Sequence, residues 1–181
     1  MVKKNACIFI SGRGSNLKNL INKSRENNFP IKIKLVLCNN QKAHGLKYAK
    51  KNHIPFRLIN SNSRMHDNQI LNILSKYKIS IICLAGYMKI VSKRIIKEFK
   101  GKIINIHPSL LPKFKGLNTY SRILRNKEIK SGCTVHFVNE KLDSGEIIIK
   151  KSFFLKSGEN EKSLKIKTQK LEYLAFPEAL I

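Results

Sequence analysis

The chain has 181 residues, of which 42% are hydrophobic and 8% aromatic, and it carries 36 lysines and arginines against 11 acidic residues, a formal charge of +25. That length holds one full-sized core and makes two compact domains a squeeze. No basic, apolar and small-residue series of a signal peptide opens the chain, and its longest apolar runs, such as 79–87, are far too short to span a bilayer. A soluble, cytoplasmic protein with no membrane association is expected.

Cys7, Cys38, Cys83 and Cys133 are widely spaced, and each lies within or beside an apolar run. No pair has metal-ligand spacing, so four reduced thiols and no metal are expected. A basic surface can hold nucleic acid through phosphates. Here, however, lysine far outnumbers arginine, is spread along the whole chain and never forms a tract interleaved with aromatics. Compositional drift accounts for it, and no specific nucleic-acid partner is expected. The field would still attract an anionic substrate.

In chain order, residues 5–11 form a near-continuous apolar run, the mark of a strand buried on both faces. The run ends at Gly12-Arg13-Gly14-Ser15-Asn16, after which Leu17, Leu20 and Ile21 recur at helical spacing. A glycine-rich turn thus delivers a helix N-terminus, whose free N–H groups suit an anion. The third glycine of a dinucleotide fingerprint and the lysine of a P-loop are both missing, which leaves a phosphate or carboxylate cradle or a plain tight turn. Residues 31–38 form a second strand, 43–51 a short helix, and 55–59 a short third strand near an edge. Ser61 or Ser63 can cap a helix running to about 78, with Ile70, Leu71, Ile73 and Leu74 as its stripe. Residues 79–85 are a fourth buried strand. Ser92 caps a helix through Phe99, and Gly101 ends it.

The stretch 104–116 organises the rest. Ile103-Ile104 leads into Asn105 and His107, and Pro108 and Pro112 stop any continuing strand or helix. Alternate residues on a strand point the same way, so Asn105 and His107 face one space and Ile104 and Ile106 the other side. A helix follows near 119–125. Two strands, 133–138 and 146–154, are then joined by 139–145, a connection short enough for an antiparallel hairpin. A last helix runs from Glu159, with Leu164, Ile166, Leu171 and Leu174 apolar. The alternation predicts an α/β fold: one domain, a mostly parallel open sheet with helices on both faces, and antiparallel late strands. Residues 1–100 form a Rossmann-like, phosphate-binding half, and 101–181 hold the catalytic strand and loop, the hairpin and the last helix.

In such a sheet, ligands sit at the strands' C-terminal ends. An Asn amide beside a titratable His suits a carbonyl oxygen that turns negative during acyl transfer. If the 139–145 loop folds over the sheet edge, Asp143 can pair with His107, orient it and raise its pKa. Asp-Ser-Gly is also ordinary turn chemistry. The trio has the logic of a hydrolase triad without a nucleophilic Ser or Cys, so the attacking group comes from the substrate.

The motifs Ile-Ser-Gly-Arg-Gly-Ser-Asn, Leu-Ala-Gly-Tyr-Met, Asn-Ile-His-Pro-Ser-Leu-Leu-Pro, Val-His-Phe-Val and Leu-Asp-Ser-Gly occur in this order. In that combination the chain resembles the glycinamide ribonucleotide formyltransferases, folate-dependent enzymes of purine biosynthesis, over nearly its whole length. The resemblance implies a formyltransferase-like fold and formyl transfer from 10-formyltetrahydrofolate, as co-substrate, to the amine of glycinamide ribonucleotide. It implies catalysis by Asn105, His107 and Asp143. It places the ribonucleotide on Gly12, Arg13, Gly14, Ser15, Asn16, Pro108 and Glu172. The folate would lie along Met88, Lys89, Ile90 and Val91, with Arg64, Asn105 and the 139–143 segment (Asn139, Glu140, Lys141, Leu142 and Asp143) around it. No metal is implied, and the protein would be a monomer or homodimer.

Three positions depart from the pattern: Arg13 stands where a small polar residue is expected, Lys115 in place of a Pro, and Asn118 in place of a His. The chain also stops soon after Phe176-Pro177, earlier than relatives. Rival readings are a methionyl-tRNA formyltransferase, which needs a further tRNA domain, and a formyltetrahydrofolate hydrolase, which usually carries a regulatory domain. A silent basic domain that binds nucleic acid is a third.

Overall fold

The computed structural model describes residues 2–59 and 64–181, the side chains of 64 and 65 excepted. Seven strands form one sheet in the order β3-β2-β1-β4-β5-β6-β7. The chain divides into two compact units, residues 1–104 with 180–181, and residues 105–179.

In the first unit, β1 (Lys4–Ile10), β2 (Ile31–Cys38), β3 (Phe56–Leu58) and β4 (Ile81–Leu84) pair in parallel. Ala6, Cys7, Ile8, Ile10, Leu35, Val36, Leu37 and Ile82 are wholly buried, as a strand covered on both faces requires. The expected edge position of the third strand holds, since β3 ends the order. Helix α1 (Ser15–Ser24) buries Leu17, Leu20 and Ile21 at the predicted spacing, and α3 (Arg64–Lys76) buries Ile70 and Leu74. The helix expected at 43–51 is shorter, with α2 spanning Leu46–Lys51. The Ser61 and Ser63 caps lie outside the described residues.

Helix α4 (Lys93–Glu98) is capped as expected, with the Ser92 hydroxyl accepting the Ile95 N–H at 3.2 Å. Its end differs from expectation. Phe99 turns extended at φ −71°, ψ 118° and stops the helix before Gly101. Gly101 serves another purpose, because a Cβ there would fall 2.2 Å from the Ser80 carbonyl oxygen. β5 (Lys102–His107) carries the chain across the division.

In the second unit, α5 (Thr119–Arg125) falls where the pattern placed it. β6 (Lys130–Phe137) and β7 (Ile147–Phe154) form the antiparallel hairpin. β6 begins three residues before the apolar run, because Lys130 and Ser131 already pair with Phe154 and Phe153. Helix α6 (Glu161–Glu178) starts on a capping box between Asn160 and Ser163 and includes Pro177. Of the apolar residues the sequence marks on it, Leu164 is buried and Leu171 half-buried. Ile166 and Leu174 are exposed, and the buried set is Leu164, Thr168, Ala175, Phe176 and Pro177. The sequence marked apolar residues on this helix without fixing which of them would be buried.

Candidate active site

In the first unit the glycine turn has the geometry its residues suggest. Gly14 is the N-cap of α1 at φ 72°, in the left-handed region, so no side chain caps the helix. A Cβ on Gly14 would lie 2.4 Å from the Cα of Gly45, and the Gly45 N–H donates to the Gly12 carbonyl at 2.9 Å. Gly45 therefore buttresses the turn from the loop before α2. No acidic residue occupies the first turn of α1, which leaves its N-terminus favourable to an anion. Gly12 and Arg13 are exposed, Ser15 is half-buried and Asn16 buried.

Two links set the neighbouring strand ends of this unit. The Asn40 side chain donates to the Ser11 carbonyl at 3.1 Å, and the Met88 N–H donates to the Ser11 hydroxyl at 2.8 Å. After Met88 the loop shows its apolar side chains to solvent, with Met88 67% and Ile90 79% exposed, while Val91 is buried. Lys89 is exposed. The side chain of Arg64 is outside the described residues.

The second unit brings Asn105, His107 and Asp143 together, as their strand alternation and the hairpin loop predict. His107 Nδ1 lies 3.4 Å from Asp143 Oδ2, with both side chains 7% exposed. The Asn105 amide nitrogen lies 3.5 Å from Asp143 Oδ1. Asp143 itself sits at φ 45°, and its Oδ2 accepts the Gly116 N–H at 2.8 Å. The other nitrogen of His107, Nε2, donates to the Phe114 carbonyl at 2.8 Å. Both ring nitrogens thus face protein acceptors, which sets the ring plane.

The hairpin can make its turn only because Gly145 has no side chain. A Cβ there would fall 1.7 Å from the Phe137 carbonyl oxygen. Inside the loop, Asn139 caps it twice, donating to the Ser144 carbonyl at 3.1 Å and accepting the Lys141 N–H at 3.0 Å. Glu140 and Lys141 are exposed, and Leu142 is 53% exposed. Lys115, the residue that departs from the family pattern, bonds the Ser144 hydroxyl and so ties the proline loop to the hairpin loop. Arg122 braces the same loop, donating to the Lys115 carbonyl at 2.6 Å and stacking its guanidinium 5.6 Å from the Phe114 ring centre. Half-buried Pro108 leads into that loop, and Ser109 closes it by donating to the Lys113 carbonyl at 2.7 Å.

One expectation is corrected. Asp143 was expected to raise the pKa of His107. The carboxylate and the Phe114 carbonyl do push it up, but burial outweighs both, and the imidazole titrates below its ordinary 6.5. Asp143 is pushed up by burial, yet His136 and His107 beside it and the hydrogen bond from the Gly116 N–H bring it below its ordinary 3.8.

His136 is the site residue that sequence reasoning missed. Its Nε2 lies 3.2 Å from the Asn105 amide nitrogen and 3.6 Å from Asp143 Oδ1, and the residue is 2% exposed. The signal was present in Val-His-Phe-Val, a His at an inward position of a buried strand, but that motif served only to mark the order of the chain.

Glu172 takes a different setting. Its charge helps raise Tyr120, and with burial lifts Cys133 to about 12, so it lies among α5, β6 and α6. Among the described residues no group of His, Cys, Asp and Glu could hold a metal ion, and no helix is long and apolar enough to cross a membrane.

An amide, an imidazole and a carboxylate at a strand end, with no nucleophilic side chain in the trio, can steady a negative oxygen and move a proton. Together with the mostly parallel sheet, they fit an α/β group-transfer protein. Residues 4–180 match the formyl transferase family model, and the chain belongs to that family. It is 38% identical to the phosphoribosylglycinamide formyltransferase of Haemophilus influenzae over 96% of this chain and 84% of that one. It is 40% identical to the human trifunctional purine biosynthetic protein adenosine-3 over 98% of this chain, but spans only 18% of that protein's length. The crystal structure of phosphoribosylglycinamide formyltransferase from Brucella melitensis superposes with a TM-score of 0.93 at 38% identity, covering 98% of this chain and 94% of that one.

Proposed function

We propose that this protein transfers the formyl group of 10-formyltetrahydrofolate to the amine of glycinamide ribonucleotide, a step of purine biosynthesis. The observation that carries the reading is the Asn105–His107–Asp143 geometry in a member of the formyl transferase family. In this reading the ribonucleotide amine attacks the formyl carbon, and Asn105 and His107 donate to the oxygen that becomes negative. To do so, His107 releases Nε2 from the Phe114 carbonyl. Asp143 holds His107 from the Nδ1 side, and the pair carries the proton lost by the amine to the departing folate nitrogen.

The phosphate goes to the N-terminus of α1, with Gly12, Gly14, Ser15 and Asn16 supplying the turn and Arg13 an added cation. Pro108 and Glu172 complete the ribonucleotide contacts. The folate is the co-substrate, and no metal takes part. The folate lies along Met88, Lys89, Ile90 and Val91, where the exposed apolar side chains of Met88 and Ile90 offer surface for its ring system. Asn139 to Asp143 offer backbone groups and Leu142, and Arg64 is assigned to the folate by the family resemblance alone. The substrates are small molecules, residues 1–181 act as one formyltransferase domain in the cytoplasm, and the unit is a monomer or homodimer.

The test is absorbance-monitored consumption of 10-formyltetrahydrofolate with and without glycinamide ribonucleotide, repeated with His107→Ala. Turnover that needs the ribonucleotide and is lost in the variant supports the transferase. Turnover without the amine indicates a hydrolase, and no turnover in the folded protein overturns both.

A further inference from the structure

We infer that His136 is a positioning residue that aims the amide hydrogens of Asn105. The inference rests on the role proposed above for Asn105 and adds the group that fixes its direction.

The argument begins with a carbonyl. His136 Nδ1 is 2.8 Å from the Phe137 carbonyl oxygen, which can only accept, so Nδ1 carries a hydrogen. In the neutral ring the other nitrogen, Nε2, is then an acceptor. It faces Asn105 Nδ2 at 3.2 Å, so one amide hydrogen is anchored on His136. The second amide hydrogen points toward Asp143 Oδ1 at 3.5 Å, the outer limit of a hydrogen bond. One hydrogen is therefore held firmly and the other loosely. The loose one is available to a substrate oxygen that acquires negative charge, and the anchored one sets the plane in which it lies.

The charged and titratable groups facing His136 are Asp143, at 3.6 Å, and His107. Asp143 offers only acceptor oxygens, as does Nε2 of the neutral ring. The two acceptors are reconciled by the amide NH2 set between them, since the opposite orientation would place the amide oxygen against both. His136 thus selects the amide orientation by its tautomer and acts through Asn105 without needing to touch substrate.

Two measurements test this. The Asn105 side-chain amide gives a 15N–1H pair in NMR, identified by its loss in Asn105→Asp. His136→Ala should shift that pair and speed its solvent exchange, whereas His136→Gln, whose amide oxygen can accept the same hydrogen, should largely restore it. His136→Phe fills the space without an acceptor and replaces the alanine variant if that loses its circular dichroism. In turnover, His136→Ala should lower kcat about 10- to 100-fold with little change in KM. In an Asn105→Ala background the same change should cost less than about 2-fold, because the group it positions is gone.

Equal losses in both backgrounds would assign His136 a merely structural role and overturn the inference. So would an Asn105 amide pair unchanged in His136→Ala, or a glutamine variant no better than phenylalanine. The amide pair decides the positioning independently of catalysis, so a wild-type protein without formyl transfer would count against the transferase reading alone.

Discussion

Asp143 holds His107 from one side with Oδ2, 3.4 Å from Nδ1, while the same oxygen accepts the Gly116 N–H at 2.8 Å. The carboxylate is fixed by backbone before it meets the imidazole, so its position does not depend on the ring's charge. Its role is separable by substitution. Asp143→Asn keeps the shape but removes the charge that favours the imidazolium. In the proposed reaction kcat should fall by about 100-fold or more, in the range lost when a triad carboxylate becomes an amide. Steady-state kinetics at saturating substrates would check it, and near-normal kcat would remove Asp143 from proton transfer.

Asn105→Ala should lose one donor to the developing oxyanion. The expected cost is ~100- to 1000-fold in kcat with folate affinity little changed. Turnover combined with a folate-analogue titration reads the two quantities separately.

The His107 site should leave a mark on stability against pH. Its pKa is lowered on folding, chiefly by burial, so the unfolded chain takes up the proton first as pH falls through 6.5. The folded state is therefore favoured fully above 6.5 and loses that contribution as pH falls through the lower folded value. Asp143, lowered from 3.8, behaves alike in a more acid window, with its contribution present above 3.8 and lost below. Denaturant unfolding of the wild type and His107→Gln between pH 7.5 and 4.5 should show the first slope in the wild type alone, by about the effect of one titrating group.

Gly14→Ala should damage the turn twice. The left-handed backbone at φ 72° costs about 1–2 kcal/mol for a residue with a Cβ. The added atom also meets Gly45 Cα at 2.4 Å, which displaces the loop before α2. Thermal unfolding should show the loss, and KM for the ribonucleotide should rise more than KM for the folate.

Ser92→Ala offers a control remote from the chemistry. The hydroxyl accepts the Ile95 N–H at the start of a six-residue helix, and its loss should cost about 1 kcal/mol by urea titration.

The legibility of this chain followed the range of the physics involved. The buried strands 4–10 and 31–38 and helix 119–125 rest on local patterning and stand within a residue of where the sequence put them, and the hairpin forms with its first strand starting three residues early. Asn105 and His107 were legible because period-two alternation is a property of any strand. His136 obeys the same rule on another strand. It was overlooked because its meaning depends on Asn105, 31 residues earlier, lying on the adjacent strand. Which apolar residues of α6 are buried was not legible for a related reason, since a helix with apolar residues on several faces is oriented by what it packs against.

The amino-acid sequence by itself determined the alternation of strands and helices, the glycine turn at the head of α1 and the pairing of an amide with an imidazole on one strand face. Those features depend on neighbours within a few residues. Only the tertiary structure decided that Gly45 packs under Gly14, that Lys115 ties two loops through Ser144, and that His136 meets Asn105. It alone also decided the direction of the His107 shift, because burial is set by the whole fold and here exceeds the pull of the nearest carboxylate.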